Sequence, residues 1–329
     1  MSIIVLHYNY HPSGGGALTI ASGADYYILM VLETVCVSAV NVFILFSGYF
    51  GYRNKSVRPG KLIALLLQTM AFSLMFSILY SATYSQWSAR SLLASLIPAN
   101  YFVIQYVVLM LIAPFINILI DSLDNRQLAL MTAFFFAIFS VYSASVDVLK
   151  EITGSGWNGL SSVGIDGSMA GYTIVNFVTV YVIGAWIGRS KSLNNVKTAS
   201  VTGVLLIAVA ADLVWKSILP GTAWCYNNPV IVIEAAAIFI LFGRIPFDNK
   251  LINEIAPASF TSYLIQGTIL GHIVSRIQET DSGATIMLVL LGSLLGIYFI
   301  AYTAMKIWNL IMRPLFKVSI DKIPMIKIG

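Results

Sequence analysis

The sequence predicts an all-α integral membrane protein, a bundle of helices that crosses the bilayer many times. Its composition is the first reason. The chain has 329 residues, of which 58% are hydrophobic and only 10% are charged, and its mean hydropathy is +0.84. Soluble domains carry about 25% charged residues. Lipid must therefore be the solvent for much of the surface of this chain.

The spacing of the apolar runs is the second reason. A span needs roughly 20 residues to cross about 30 Å of hydrocarbon, and its lipid-exposed backbone must form its own hydrogen bonds as a helix. No soluble domain fits between these runs, so we interpret residues 1–329 as a single membrane domain. The predicted spans are 27–50, 62–83, 101–121, 127–148, 171–188, 199–218, 228–243, 257–276 and 285–312.

The chain opens with MSIIVLHYNYHPSGGG, in which a short apolar run meets a histidine and then a glycine-rich turn. This stretch resembles the outer end of a further span. The sequence therefore predicts nine complete transmembrane helices and the remnant of a first one. Two histidines, His7 and His11, would lie at the outer membrane surface.

The basic residues support this alternation of spans, because cytoplasmic loops of membrane proteins are rich in Lys and Arg. If the first fragment runs outward, 15 of the 19 basic residues are cytoplasmic. The predicted cytoplasmic set is Arg53, Lys55, Arg58, Lys61, Arg126, Arg189, Lys191, Lys197, Arg244, Lys250, Lys306, Arg313, Lys317, Lys322 and Lys327, and the outer set is Arg90, Lys150, Lys216 and Arg276. This predicts a cytoplasmic C-terminus and an outer 149–170 loop. Because the basic residues are sorted by membrane side, the net charge of +5 does not indicate a nucleic-acid partner.

Polar side chains inside predicted spans are candidate functional groups, because they are costly to place in hydrocarbon. Glu33 and Glu234 are the clearest, since a lone carboxylate must find a partner or a polar cavity. Asn41 is either hydrogen-bonding glue between helices or a substrate contact. Asp212 and Lys216 are four residues apart and are expected to pair within one helix. The two cysteines lie in unrelated segments and predict neither a disulfide framework nor a metal site.

Five motifs, in order along the chain, resemble those of the acyltransferase family 3 membrane proteins. They are VNVFILFSGYFGYR (40–53), NYFVIQYVVLMLIAPFIN (100–117), VYVIGAWIGR (180–189), YNNPVIVIEAAAIFILFGRI (226–245) and ASFTSYLIQ (258–266). The resemblance implies a core of ten transmembrane helices. It also implies transfer of an acyl group, most often acetyl from acetyl-CoA, to hydroxyls of surface glycans or lipid-linked sugars.

On its first span the family carries an Arg and a His that are separated by ten residues, so that the Arg stands eleven positions before the His. IIVLHY matches the end of that motif, so the resemblance makes His7 the catalytic base. The paired Arg would lie ahead of Met1. We therefore expect the natural protein to begin upstream and the chain as written to have little activity; the alternative is an inactive, truncated paralogue. At 266 this chain has Gln266 where relatives often have a histidine.

The donor and acceptor contacts are predicted in part from the resemblance and in part from the charges, the polar residues within spans and the outer-loop aromatics. Arg58 and Lys61 match a basic pair of the family, which more often has two arginines. Together with Arg53 they are expected either to bind the phosphates of acyl-CoA or to act only as topology signals. No permanently bound cofactor is expected, because acetyl-CoA is a substrate. Glu33, Asn41, Glu234 and the outer-loop Tyr226 are the predicted acceptor contacts, while membrane lipids surround the helices.

Two other functions fit a chain with many spans. A transporter or flippase of lipid-linked sugars would also have buried carboxylates, but it should show internal repeats, and we find none. A glycan polymerase should carry a large, basic outer loop, whereas the longest outer loop predicted here has one lysine and no arginine.

Overall fold

The structure is a computed structural model, and it is built almost wholly of helices. It describes residues 1–11, 14–85, 87–98, 100–155, 171–190, 195–246, 248–278, 281–320 and 322–328. The helices of the first half are α1 (Ser2–Asn9), α2 (Ala17–Ile20), α3 (Gly23–Val37), α4 (Ala39–Gly51), α5 (Pro59–Tyr84), α6 (Ala89–Ser95), α7 (Tyr101–Ser122), α8 (Asn125–Phe136) and α9 (Ser143–Thr153). Those of the second half are α10 (Ile174–Ser190), α11 (Thr198–Ile218), α12 (Pro229–Gly243), α13 (Lys250–Ile255), α14 (Ala258–Val274) and α15 (Gly283–Ser319).

Two strands of two residues each, β1 (Ser56–Val57) and β2 (Ile326–Lys327), complete the described elements. The all-α membrane class predicted from composition is thereby confirmed.

The described residues contain six helical segments long and apolar enough to span a membrane. They are Gly23–Gly51, Pro59–Thr83, Tyr101–Ser122, Asn125–Thr153, Thr198–Ile218 and Gly283–Met312. Two further apolar helices, α10 and α12, are shorter than a span normally requires. Every predicted span coincides with helix, but the number of nine complete spans stays a prediction.

Two predicted spans contain local irregularities that hydropathy does not reveal. The 27–50 run is interrupted at Ser38, whose hydroxyl donates to the carbonyl of Val35 at 3.0 Å. The 127–148 run contains a π-helical turn, Ala137–Tyr142, between α8 and α9. Such turns insert one extra residue into a helix, and they occur often at functional sites.

The chain forms two compact units. The first unit comprises Met1–Glu33, Val57–Val107 and Phe247–Ile326. The second unit comprises Thr34–Ser56, Val108–Pro246 and Lys327–Gly329. The prediction of one membrane domain is not tested by this division.

In the first unit, α14 packs against α1, α5 and α15. Polar side chains join these helices. Gln68 on α5 donates to the hydroxyl of Thr261 on α14 at 3.3 Å, and the Tyr263 hydroxyl donates to the side-chain oxygen of Asn100 at 2.9 Å. The ASFTSYLIQ motif therefore forms the part of α14 that holds the neighbouring helices together.

In the second unit, α4 and α10 are in very close contact. A Cβ atom at Gly48 would lie 2.1 Å from the carbonyl oxygen of Tyr181, and one at Gly184 would lie 2.4 Å from that of Leu45. Only glycine lets the two backbones approach so closely, as in other small-residue helix interfaces of membranes. The motifs 40–53 and 180–189 thus meet each other, which gives their glycines a structural reason.

A third motif joins this interface at one end of the second unit. The Asn117 amide donates to the carbonyls of Gly51 and Asn54 at 3.0 and 2.7 Å. Its side-chain oxygen accepts from the buried Tyr181 hydroxyl at 2.9 Å. At this end Lys55 also pairs with Asp121 at 2.6 Å. The segments that follow α4 and α7 therefore lie at the same end of this unit, and the cytoplasmic side of that end stays a prediction.

Candidate functional site

The candidate base, His7, lies on α1, a short apolar helix of the first unit. Ile4, Val5 and Leu6 are buried on this helix. It packs against α14 and α15, so neighbouring helices of the protein hold α1 in place. The position of the imidazole therefore depends on how firmly the neighbouring residues fix the helix.

The two residues after His7 anchor α1 to two different helices. The hydroxyl of Tyr8, which is fully buried, donates to the carbonyl of Ile286 on α15 at 2.6 Å. The amide of Asn9 donates to the Leu29 carbonyl at 3.2 Å and to Glu33 Oε2 at 2.9 Å, both on α3. Successive residues point about 100° apart around a helix. The anchors therefore fix the rotation of α1 about its axis, and with it the direction of the His7 side chain.

The His7 ring is half-buried. Its Nδ1 atom is shielded from solvent and has no hydrogen-bond partner among the described residues. A neutral imidazole carries one donor nitrogen and one acceptor nitrogen. A half-buried ring on a firmly held helix is a suitable arrangement for receiving a proton from a bound hydroxyl.

The turn after α1 brings His11 against α14. The His11 N–H donates to the Gly15 carbonyl at 3.0 Å, and Nε2 of its ring lies 2.8 Å from the Gly267 carbonyl oxygen. Gly16 has a φ of +135°, and a Cβ atom there would lie 2.1 Å from the carbonyl oxygen of Asn9. The glycine-rich turn is thus required for the chain to fold back closely over the end of α1.

Glu33, a predicted acceptor contact, is buried and accepts the hydrogen bond of Asn9. This contact gives the carboxylate a positioning role for the helix that carries His7. The prediction that Glu33 binds the acceptor is not tested by it.

The positioning role predicts different outcomes for two substitutions of Glu33. Glu33→Leu should lower the transfer rate about tenfold or more, because a hydrogen bond to a charged group contributes about 1.5–3 kcal/mol. Glu33→Gln keeps an acceptor oxygen for Asn9 and should retain most of the rate. Initial rates at saturating acceptor, with both variants at equal abundance, measure this. Equal losses in both variants, with a raised KM for the acceptor, would instead make Glu33 a substrate contact.

The predicted donor-binding cations Arg58 and Lys61 lie at the start of α5 in the first unit. Arg58 is the N-cap residue, Pro59 is the first helical residue, and both cationic side chains are exposed. Helix N-termini favour anions because their N–H groups are unpaired and the helix dipole is positive there. Gly60 fixes this end, because a Cβ atom there would lie 2.5 Å from the carbonyl oxygen of Ile320.

Arg53, the third predicted donor contact, belongs to the second unit. Its side chain is exposed, and its Nε donates to the Tyr52 hydroxyl at 3.0 Å. The guanidinium carbon also lies 5.3 Å from the centre of the Tyr52 ring. The side chain is therefore held by its neighbour at the same end as the Lys55–Asp121 pair.

Asn41 and Tyr226, two predicted acceptor contacts, meet in the second unit. The Asn41 amide donates to the Tyr226 main-chain carbonyl at 2.7 Å, and its side-chain oxygen accepts from Asn176 at 3.3 Å. The Tyr226 ring stacks edge-to-face on Tyr172, with 4.4 Å between ring centres. Asn41 thus holds the loop before α12 in place through a main-chain contact. The Tyr226 side chain takes no part in that contact and packs against the Tyr172 ring.

Glu234 and Asp212 lie fully buried on α12 and α11, which pack together in the second unit. Asp212 has Trp224 as a neighbouring hydrogen-bond donor, and Glu234 has the Ser38 hydroxyl. Lys216, which was expected to pair with Asp212, interacts with it electrostatically and has two further contacts. The Lys216 ammonium lies 4.1 Å from the centre of the Trp224 ring and donates to the Pro220 carbonyl at 3.3 Å.

The structure adds polar residues that the sequence reasoning did not select. Asn9 and Tyr8 fix the helix of His7, and Gln266 on α14 is fully buried with neither amide atom hydrogen-bonded to a described residue. Gln266 was visible as a polar residue within a span, and Asn9 directly follows the HY pair. Their importance arises from contacts with distant segments, such as the 278 residues that separate Tyr8 from Ile286.

Most of the chain matches a known protein family. The acyltransferase 3 family model, described as an acyltransferase domain, matches residues 1–308. No curated protein and no solved structure matches the chain. The family match confirms the resemblance that the five motifs carry.

Proposed function

Because this chain belongs to the acyltransferase 3 family, we propose that it transfers an acetyl group from cytoplasmic acetyl-CoA to a sugar hydroxyl. The acceptor is a cell-surface polysaccharide or a lipid-linked sugar. The chain is an acyltransferase and a multi-pass membrane protein. The observation that carries the proposal is the half-buried His7 ring on a helix held by Tyr8 and Asn9.

The reaction needs a base, because a sugar hydroxyl is a poor nucleophile until its proton begins to leave. Neutral imidazole removes such a proton efficiently near pH 7. In the proposed mechanism, His7 takes the proton while the hydroxyl oxygen attacks the thioester carbonyl carbon. The C–S bond then breaks, and the thiolate of CoA takes up the proton from His7. The products are an O-acyl ester and free CoA.

The donor side of the proposal rests on the exposed cations at the start of α5. Arg58 and Lys61 are one helical turn apart, so both can reach one phosphate group. Arg and Lys form charge-assisted hydrogen bonds with phosphate oxygens, and Arg does so bidentately. The expected donor contact of Arg53, which belongs to the second unit, stays a separate prediction. Acetyl-CoA acts here as a substrate, and no permanently bound cofactor is part of the proposal.

The acceptor side of the proposal keeps Tyr226 and Glu234 as contacts. The Tyr226 ring offers an aromatic face, and Glu234 offers carboxylate oxygens in the interior of the second unit. Glu33 and Asn41 are proposed to act mainly by holding α1 and the loop before α12, since their polar atoms bond to protein groups. The protein would lie in the cell membrane, with its C-terminus in the cytoplasm.

Sidedness predicts the labelling of single cysteines in intact cells. Ser161→Cys, which lies outside the described residues, should react with an impermeant thiol reagent, whereas Lys322→Cys should react only after the cells are permeabilised. The background should carry Cys36→Ser and Cys225→Ser. Cys225 itself should react poorly, because burial, together with the nearby Asp147 and Glu151, raises the pKa of its thiol to about 12. Labelling of Lys322→Cys from outside would contradict the proposed side of His7.

The activity is tested by the glycans of cells that express the protein. Extraction of lipid-linked and polymeric glycans, followed by mass spectrometry before and after mild alkali, detects ester-linked acyl groups and identifies the acyl group. The proposal expects an alkali-labile acetyl ester that depends on the expressed gene. Glycans with identical ester content in expressing and non-expressing cells would contradict it.

A further inference from the structure

Two adjoining cavities lie between α14 and α15 in the first unit. The first has a volume of about 380 Å³ and lies where α14 ends and α15 begins. The second, of about 300 Å³, follows the two helices further along their length. Ile273 and Val289 line both, so the two cavities adjoin at these residues. Both volumes fall at the lower end of the range for small-molecule binding sites, which is about 300–1,000 Å³.

The first cavity combines polar groups with an apolar wall. His272, Arg276, Asp281 and Thr285 line it. Arg276 offers a guanidinium, the group best suited to bidentate binding of phosphate. Asp281 Oδ2 accepts the N–H of Gln278 at 2.8 Å, and a carboxylate has a second oxygen that can accept from a sugar hydroxyl. This set suits a phosphate that is joined to a sugar better than it suits either a bare hydrocarbon or a bare anion.

The second cavity is an apolar groove. Its lining includes Gly292, Gly296, Ile297 and Ile300 on α15. A Cβ atom at either glycine would meet nothing within 4 Å, so the absent side chains leave open space along the helix. From Val289 to Ile300 the groove follows α15 for about 16 Å at 1.5 Å per residue, roughly half the thickness of the hydrocarbon core. A flexible hydrocarbon chain fits such a groove.

We propose that the two cavities form one binding site for a lipid-linked acceptor. The phosphate and first sugar of the acceptor lie in the polar cavity beside Arg276, and its hydrocarbon chain lies in the groove along Gly292 and Gly296. The inference rests on the proposed acyl transfer and selects the lipid-linked form of the acceptor over free polysaccharide.

The site lies next to the helix that carries the base. Ile286 lines the polar cavity, and its carbonyl accepts the hydrogen bond of Tyr8, the residue after His7. An acceptor whose phosphate and first sugar occupy this cavity therefore lies beside α1. Anchoring the lipid chain also supplies binding energy remote from the reacting atoms, which enzymes use to orient a substrate.

Binding measurements on the purified protein in nanodiscs of neutral lipid test the site without acyl transfer. The probes are a short-chain polyprenyl phosphate that carries one sugar, the same sugar phosphate without the chain, and phosphatidylglycerol. Gly292→Leu with Gly296→Leu fills the groove, and Arg276→Gln removes the charge. Gly203→Leu on α11, where a Cβ atom also meets open space, is the matched control.

Filling the groove should weaken binding of the lipid-linked probe about tenfold or more and leave the chain-free sugar phosphate unaffected. Arg276→Gln should weaken both, because a charge-assisted hydrogen bond is lost. Unchanged binding in both variants would overturn the site, and equal displacement by phosphatidylglycerol would make it a general lipid site. Variant-sensitive binding in a protein that transfers no acyl group would contradict the proposed function and leave the site intact.

Discussion

Replacing His7 by alanine should abolish acyl transfer without changing the amount of protein in the membrane. A positioned general base contributes about 10²–10⁴ to the rate, and the apolar residues that bury α1 remain in the variant. The measurement is the initial rate of acetyl transfer in membranes, normalised to protein abundance. It should use the genomic reading frame with any codons that precede Met1.

His11 provides the matched histidine control. It lies on the same turn, and its ring nitrogen contacts the Gly267 carbonyl at 2.8 Å. We expect His11→Ala to be tolerated. Loss of one neutral hydrogen bond costs about 0.5–1.5 kcal/mol, so the structure predicts at most about a tenfold loss. Robust transfer by His7→Ala, or an equal loss in both variants, would remove the assignment of His7 as the base.

Removing the charges of Arg58 and Lys61 together should raise the KM for acyl-CoA at least tenfold and leave kcat at saturating donor nearly unchanged. Each charge-assisted contact to phosphate contributes about 1.5–3 kcal/mol, and 1.4 kcal/mol corresponds to a factor of ten. The helix should form in the Ala variant, because Pro59 and the packing of Gly60 on Ile320 are retained. Rates measured over a range of acetyl-CoA concentrations give both constants.

The matched control is Arg126→Ala with Lys197→Ala. Both residues are exposed and lie on the same predicted side of the membrane, so the control removes the same charge without touching the proposed donor contacts. It should leave the KM for acyl-CoA unchanged. An equal rise of the KM for acyl-CoA in both double variants would show that general surface charge causes the effect. An unchanged KM in both would mean that Arg58 and Lys61 act only as topology signals.

The helices of this fold were predictable because hydrophobic length determines where a chain can cross a membrane. Each of the nine predicted runs coincides with helix. The interruption at Ser38 and the π-helical turn at Ala137–Tyr142 were not predictable. Hydropathy averages over a window, whereas these features depend on single hydrogen bonds, such as the one that Ser140 donates to the Asn227 carbonyl at 2.7 Å.

The candidate site was predictable in its residue types and not in its contacts. His7 was selected through the family resemblance, but its supports, Tyr8 and Asn9, depend on partners far along the chain. Glu33 was singled out as a carboxylate that needs a partner or a polar cavity, and in the structure it accepts a hydrogen bond from Asn9. The hydrogen bond from Asn41 to a main-chain carbonyl could not be predicted from side-chain types. Every residue, whatever its side chain, offers the same main-chain acceptor.

The most direct test of the account follows the acetyl group itself. Vesicles that contain the purified protein and a lipid-linked glycan receive acetyl-CoA labelled in the acetyl carbon, added only on the side of the Arg58 end. The account predicts that label appears as an alkali-labile ester on the glycan while free CoA accumulates in equal amount, and that His7→Ala produces neither. Movement of the glycan across the bilayer with no label in it and no CoA released would contradict the account and identify the protein as a transporter.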